Sequence, residues 1–128
     1  QGKALASALY GDRSIVYREE AVPSVVYSHP QVARVGLTEQ QARQQGLKTV
    51  VRSSDYGANI IARAELMGQG FVKMLFHQDQ LVGATILGDD AADMIPAMSL
   101  ALANGLGQKE LKKWIIPHPT LSEMMTIA

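Results

Sequence analysis

The middle of the sequence predicts a β-hairpin, because two apolar segments, GFVKMLFH and QLVGATILG, follow one another between Gly70 and Gly88. Polar residues at positions 77–80 separate them, as in a hairpin turn. Both segments are rich in the β-branched and aromatic residues that favour strands. The rest of the fold must therefore be built onto an antiparallel sheet.

Three other segments also predict strands. They are SVVYS (24–28), VARVGL (32–37) and LKTVVRSSDY (47–56). Between the second and the third, Thr38 and Gln41 form a capping-box pattern, and Gly46 lies where the resulting helix would end. The later segment NIIARAEL is compatible with either an extended strand or a short helix.

The last third of the chain predicts helices. Apolar residues recur at helical spacing from Asp90 to Asn104, and Pro96 is expected to kink or locally open that helix. A short helix is expected over 108–114, and a last one begins at Thr120. Strands followed by helices predict an α+β fold, with a largely antiparallel β-sheet and helices packed on one face.

The composition is that of a single domain with evenly balanced charge. The chain has 128 residues, 47% of them hydrophobic, which is enough for one core. Twelve basic residues balance twelve acidic ones without a run of either sign, so binding to nucleic acid or to a membrane surface is not expected. No segment approaches the roughly 18 apolar residues that span a bilayer. We expect a soluble, cytoplasmic protein.

The chain contains no cysteine, which excludes disulfides, thiolate metal sites and a redox dithiol within it. It starts with Gln1, which is not an initiator, and QGKALASALYG predicts a helix that is entered partway and stops at Gly11. We therefore expect a piece of a longer protein. Residues 12–23 would connect this helix to a domain that begins near Val22.

Common cofactor and catalytic motifs are missing from the sequence. Two pairs of closely spaced glycines lack the third glycine and the strand-to-helix setting of a dinucleotide-binding loop. The pairs are Gly68 with Gly70 and Gly105 with Gly107. The histidines lack the spacing of zinc ligands, so no metal site is expected. They are His29, His77 and His118. A G-x-S-x-G nucleophile motif does not occur.

The C-terminal segment WIIPHPTLSEMMTIA is the candidate for chemistry. Pro117 and Pro119 restrict the backbone on both sides of His118, and Thr120 with Glu123 forms a T-x-x-E capping-box pattern. In one interpretation Glu123 only caps the last helix, and His118 is a partly buried loop residue. In the other, Glu123 binds one imidazole nitrogen and leaves the other free as an acid or base. On spacing alone we favour the first.

HPTLSE resembles the C-terminal motif of the pyridine nucleotide-disulfide oxidoreductases, flavoenzymes that include dihydrolipoamide dehydrogenase and glutathione reductase. Three upstream segments resemble the same family in the same order: VPSVVYSHPQVARVGLTEQQA, ARAELMGQGFVKMLF and LVGATILGDDAADMI. The resemblance covers nearly the whole chain. It implies that residues 22–128 form the dimerisation, or interface, domain and that residues 1–21 are the last helix and connector of the preceding flavin domain.

The resemblance also implies a function. The chain would belong to a homodimeric oxidoreductase that uses FAD and NAD(P), with both cofactor sites and the redox disulfide in earlier domains. His118 would be the acid-base residue for a thiol substrate in the partner subunit's site, and Glu123 would orient it. The backbone of His118 and Pro119 would touch the partner's FAD. The substrate would be a small thiol or disulfide, or a lipoyl domain, and this chain alone would hold no cofactor and be inactive.

Within the family, HPTLSE favours the dihydrolipoamide dehydrogenase branch. Ile116 stands where many members of that branch have a second histidine, and YSHP is similar to glutathione-reductase-like members. Mercuric reductases usually carry tyrosine in place of His118. The substrate therefore stays open. The alternative function is a stand-alone dimerising or partner-binding module without chemistry, which an upstream C-x4-C pair and two dinucleotide motifs would exclude.

We expect a symmetric homodimer. The terminal segments carry more apolar side chains than one face of a small sheet can cover, and a two-fold interface would bury the surplus. These residues are Leu106, Trp114, Ile115, Ile116, Leu121, Met124, Met125 and Ile127.

Overall fold

The computed structural model describes residues 2–11 and 17–126, so the connector is described only from residue 17 and Ile127 lies outside the described residues. The strands are β1 (Ser24–Val26), β2 (Val32–Gly36), β3 (Val50–Asp55), β4 (Phe71–His77) and β5 (Gln80–Leu87). The helices are α1 (Gly2–Leu9), α2 (Glu39–Gln44), α3 (Ile60–Ala64), α4 (Ala91–Ala103) and α5 (Gln108–Leu111). Short 3-10 helices cover Glu19–Ala21, Tyr56–Ala58 and Leu121–Met125. None of these described helices has the length and apolar character needed to cross a lipid bilayer.

The strands form one sheet in the order β1-β2-β5-β4-β3, and all neighbouring pairs are antiparallel. The predicted hairpin is confirmed as β4 and β5, with its turn at residues 77–80 as predicted. His77 pairs with Gln80, which leaves only Gln78 and Asp79 in the turn, with φ of 48° and 72°. Two-residue turns need these left-handed conformations to match the strand twist.

One face of the sheet carries the hydrophobic core. The register aligns Val35 with Ala84, and Ala84 with Met74, across three neighbouring strands, and all three side chains are buried. Helix α4 packs on β2 and β5 and adds Ile95 and Met98 to the same core. The predicted α+β fold, an antiparallel sheet with helices packed on it, is confirmed.

The short helix α2 reaches the opposite face of the sheet. Leu37, just before α2, donates its N–H to the Val82 carbonyl at 2.9 Å. Further along, Lys73 Nζ bonds Glu39 Oε1 at 2.7 Å, and this contact lowers the pKa of the Glu39 carboxyl. The chain therefore passes so close to Gly83 that a Cβ there would lie 2.0 Å from the Leu37 carbonyl oxygen.

Most of the predicted helix boundaries are confirmed. The capping box of α2 is formed, because the Thr38 N–H donates to Gln41 Oε1 at 2.9 Å and the Gln41 N–H donates to Thr38 Oγ1 at 3.2 Å. Gly46 ends the helical segment with φ of 70°. The ambiguous segment NIIARAEL contains helix α3, and the helix expected over 108–114 is the shorter α5.

Helix α4 is capped at its start by a residue from a distant part of the sequence. Asp90 lies at the N-cap position with φ of 59°, but Gln31 supplies the cap, since its Oε1 accepts the Ala92 N–H at 3.0 Å. This partner lies 61 residues earlier in the chain, so local sequence could not reveal it. The helix continues through Pro96 to Ala103, and the kink at Pro96 stays a prediction.

We predict that Gly83→Ala lowers the free energy of unfolding by about 1–3 kcal/mol, because the new Cβ would overlap backbone atoms that cannot move independently. Urea denaturation measures the effect. Gly68→Ala is the matched control, since a Cβ there meets no atom within 4 Å, and it should change stability by no more than about 0.5 kcal/mol. Equal stability of the two variants would contradict the close approach of Leu37.

Candidate functional site

The loop that carries His118 is closed by a local hydrogen bond. Thr120 Oγ1 donates to the Pro117 carbonyl at 2.9 Å, so the backbone turns around His118. The peptide between His118 and Pro119 is cis, and both residues are exposed. Thr120 is then the N-cap of the 3-10 helix Leu121–Met125, at the point where the sequence predicted the last helix to begin.

Glu123 contacts both the helix start and the histidine. Its Oε2 accepts the Thr120 N–H at 2.9 Å, and its Oε1 lies 2.8 Å from His118 Nδ1. The geometry combines the helix cap of the first interpretation with the imidazole contact of the second, and His118 is exposed rather than partly buried. One carboxylate group caps the helix with one oxygen and contacts the imidazole with the other.

The carboxyl of Glu123 is held in its ionised form. The Thr120 N–H, and after it the His118 side chain, lower the pKa of Glu123 below its ordinary value of 4.5. An ionised carboxylate can only accept hydrogen bonds, so the shared proton must lie on His118 Nδ1. In the neutral imidazole the free electron pair is then on Nε2. The His118 side chain is 65% exposed, so Nε2 can exchange a proton with a molecule outside this chain.

Apolar side chains anchor the 3-10 helix in the core. Leu121, Met124 and Met125 are buried, and the helix contacts β3 and β4. The expectation that these three residues contribute surplus apolar surface is wrong, because they fill the core of their own chain. Trp114 and Ile115 stay exposed, at 39% and 93%.

Asn59 contacts the same loop, although no sequence motif singled it out. Its Oδ1 accepts the Ala62 N–H at 3.1 Å and so caps α3, while its Nδ2 donates to the Thr120 carbonyl at 2.9 Å. An asparagine before a helical pattern is a recognisable cap. Its second contact joins residues 61 positions apart, and such a contact leaves no local signal. Together with His118 and Glu123, Asn59 lines a cleft of about 340 Å³ beside the end of β3.

The other histidines lie elsewhere. His29 Nδ1 is 3.7 Å from Asp89 Oδ1, and His77 Nδ1 is 2.9 Å from the Lys48 carbonyl oxygen. Among the residues that the structure describes, no three histidine or carboxylate side chains cluster as metal ligands would. A larger hollow of about 840 Å³ lies between the 3-10 helix Glu19–Ala21 and β2, and its lining residues include no histidine.

The paired glycines do not form dinucleotide-binding loops. Gly68 and Gly70 lie between α3 and β4, and Gly105 and Gly107 lie between α4 and α5. Neither loop leads from a strand into a helix, which is the setting in which such loops bind phosphates.

Comparison with known proteins identifies the family. Residues 22–128 match the family model described as "Pyridine nucleotide-disulphide oxidoreductase, dimerisation domain". The chain belongs to this family. A dihydrolipoyl dehydrogenase of Zymomonas mobilis is 38% identical over 98% of this chain and 28% of its own length. The mitochondrial dihydrolipoyl dehydrogenase of Caenorhabditis elegans is 39% identical over 80% of this chain and 21% of its own length.

Solved structures of this oxidoreductase family have the same fold. LpdA of Mycobacterium tuberculosis superposes with a TM-score of 0.91 at 22% identity, covering 98% of this chain and 28% of that one. The Cu(II) complex of RclA, an HOCl-induced flavoprotein disulfide reductase of Escherichia coli, superposes with a TM-score of 0.84 at 28% identity, covering 96% and 29%. This dimerisation-domain chain thus spans about a quarter of the length of the relatives that it matches.

We predict that Glu123→Gln flattens the acid limb of the stability profile. Because the folded-state pKa of Glu123 is lowered, its carboxylate stabilises the fold above its ordinary pKa of 4.5, and the contribution is lost as pH falls through the lower folded value. The stability difference between wild type and Glu123→Gln should therefore shrink as the pH falls below 4.5. Denaturant titrations at several pH values measure it.

Glu65→Gln is the control for this prediction. Glu65 is exposed, and among the described residues no hydrogen bond or ion pair is found for its carboxylate. Its replacement should leave the shape of the acid limb unchanged. A Glu123→Gln profile that runs parallel to that of wild type down to low pH would show that the Glu123 contacts do not form in solution.

Proposed function

We propose that this chain is the dimerisation domain of a FAD-dependent, NAD(P)-linked disulfide oxidoreductase of the dihydrolipoyl dehydrogenase type, and that His118 serves as acid-base residue in the partner subunit's site. The observation that carries the proposal is the contact of Glu123 with His118 Nδ1, at 2.8 Å, on a side chain that is 65% exposed. The relatives named dihydrolipoyl dehydrogenase support the class of reaction. The thiol substrate that we propose is accordingly a dihydrolipoyl group.

In this proposal, His118 accepts the proton of the substrate thiol on Nε2. The thiolate is the species that attacks a disulfide, so removing this proton is a chemical requirement of the reaction. The negative charge of Glu123 stabilises the imidazolium that forms, and its fixed position keeps the proton of Nδ1 in place. The same nitrogen can return the proton when the reaction runs in the opposite direction.

The remaining parts of the site would come from elsewhere in the dimer. This chain has no cysteine and no dinucleotide loop, so it is expected to show no redox turnover by itself. In the complete enzyme the flavin would carry electrons between the dithiol and the nicotinamide. The exposed backbone of His118 and Pro119 fits a surface that contacts the partner subunit's flavin, while Glu123 stays partly covered behind it.

We predict that His118→Gln in the full-length enzyme slows flavin reduction by the thiol substrate by about 10²- to 10⁴-fold. Glutamine keeps the approximate volume of histidine but cannot exchange a proton at neutral pH. Hydride exchange between flavin and nicotinamide does not use this base, so that half-reaction should keep its rate. Stopped-flow absorbance measures both half-reactions. Reduction by thiol at the wild-type rate would remove the catalytic assignment.

We also predict that this chain, which matches a dimerisation domain, forms a dimer through a surface that includes Trp114 and Ile115, two exposed apolar residues just before His118 in the sequence. Light scattering after gel filtration should give twice the monomer mass, and Ile115→Glu should shift the equilibrium towards monomer. A wild-type chain that remains monomeric at tens of micromolar would count against this surface.

A further inference from the structure

Asn59 is buried, with 8% of its surface exposed. Among the described residues it is the one buried residue with a polar or charged side chain, apart from the tyrosine of the core. It follows the 3-10 helix Tyr56–Ala58 and caps α3. A buried amide must have its hydrogen-bonding groups satisfied, since an unpaired one costs free energy. Its partners therefore indicate what the position requires.

Both polar groups of the Asn59 side-chain amide are hydrogen-bonded, the oxygen as an acceptor and the nitrogen as a donor. Oδ1 accepts the Ala62 N–H at 3.1 Å, and Nδ2 donates to the Thr120 carbonyl at 2.9 Å. Reversing the amide would place its NH₂ group against an N–H and its oxygen against a carbonyl. The orientation of the side chain is therefore determined by these two partners.

Helix capping alone does not explain an asparagine at this position. Serine, threonine and aspartate cap helices about as well, because a cap needs only an acceptor oxygen. Among these residue types, only asparagine adds an amide donor long enough to reach a second acceptor. The donor of Asn59 is used on Thr120, which is a residue of the His118 loop.

Thr120 connects Asn59 to the histidine through hydrogen bonds to Asn59 and to Glu123. Its carbonyl accepts from Asn59, and its own N–H donates to Glu123 Oε2 at 2.9 Å. The other oxygen of Glu123 contacts His118 Nδ1 at 2.8 Å. One continuous set of hydrogen bonds therefore runs from Asn59 through Thr120 and Glu123 to the imidazole ring.

The segment just before Asn59 is itself fixed by hydrogen bonds. The Tyr56 hydroxyl donates to the Asp89 carbonyl at 2.6 Å, and the Tyr56 side chain is buried. Asp55 Oδ1 accepts the Gly57 N–H at 2.7 Å, which closes the turn before Asn59. Asn59 is therefore attached to the sheet and to the start of α4, and the His118 loop is attached to Asn59.

We infer that Asn59 is a positioning residue for the proton-transfer site: its amide holds the Thr120 carbonyl and thereby sets the place of Glu123 against His118. This inference rests on the proposed function for its consequence in catalysis. It predicts that the donor of Asn59, rather than its capping oxygen, matters for the reaction.

The test uses the full-length enzyme with Asn59→Ser and Asn59→Asp, which both keep a capping oxygen and remove the amide donor. Each variant should slow flavin reduction by the thiol substrate by about 10- to 100-fold, because a shifted catalytic group loses its alignment. Hydride exchange between flavin and nicotinamide should stay at the wild-type rate, which also shows that the variant is folded. Having two variants covers the case in which one of them fails to fold.

A second readout follows the histidine directly. In enzyme labelled with ¹⁵N-histidine, the signal of His118 is assigned by its loss in His118→Gln. Wild type should show the form with the proton on Nδ1, and the Asn59 variants should shift towards the form with the proton on Nε2. Thr38→Ala is the matched control, because it removes the cap of α2 on the other face of the sheet and should change neither the signal nor the thiol half-reaction.

The outcomes separate this inference from the proposed function. If His118→Gln slows the thiol half-reaction but both Asn59 variants stay within about twofold of Thr38→Ala, the positioning role is wrong and the acid-base role stands. If His118→Gln has no effect, the proposed function fails. In that case the ¹⁵N signal of His118 still tests the positioning role of Asn59, because an unchanged signal in the Asn59 variants would overturn that role.

Discussion

The two oxygens of the Glu123 carboxylate bind two different parts of the chain, and the candidate site depends on this division. One oxygen accepts the Thr120 N–H and so fixes the carboxylate on the backbone, and the other contacts His118 Nδ1. A carboxylate bound only to the imidazole would be free to follow the ring. Because the helix cap holds Glu123, the carboxylate has a fixed place against the ring, and the His118 side chain is 65% exposed.

Sequence reasoning succeeded where the interacting residues are near neighbours. The Thr38–Gln41 capping box and the Thr120–Glu123 contact each join residues three positions apart, and motifs with local geometry reveal such pairs. The strand segments were also predictable, since apolar and β-branched patterns are local. The order β1-β2-β5-β4-β3 and the contact of Asn59 with Thr120 were not, because both depend on how distant segments pack.

Under the proposed function, His118 is exposed because its site is shared between subunits. A side chain that is 65% exposed gains little stability from its surroundings, whereas a proton-transfer group must reach its substrate. The chain matches the dimerisation domain of its family, and it spans about a quarter of the relatives' length. Trp114 and Ile115, which lie just before His118 in the sequence, are exposed apolar residues, and the proposed interface would include them.

A hybrid dimer tests most directly whether His118 acts on the partner subunit. One full-length subunit would carry His118→Gln with its redox cysteines intact, and the other would carry the native His118 with those cysteines replaced. If His118 acts across the dimer, one of the two sites combines intact cysteines with an intact His118, so the hybrid should have about half the thiol-dependent activity of wild type. Activity no higher than that of the two inactive parent homodimers would contradict the account.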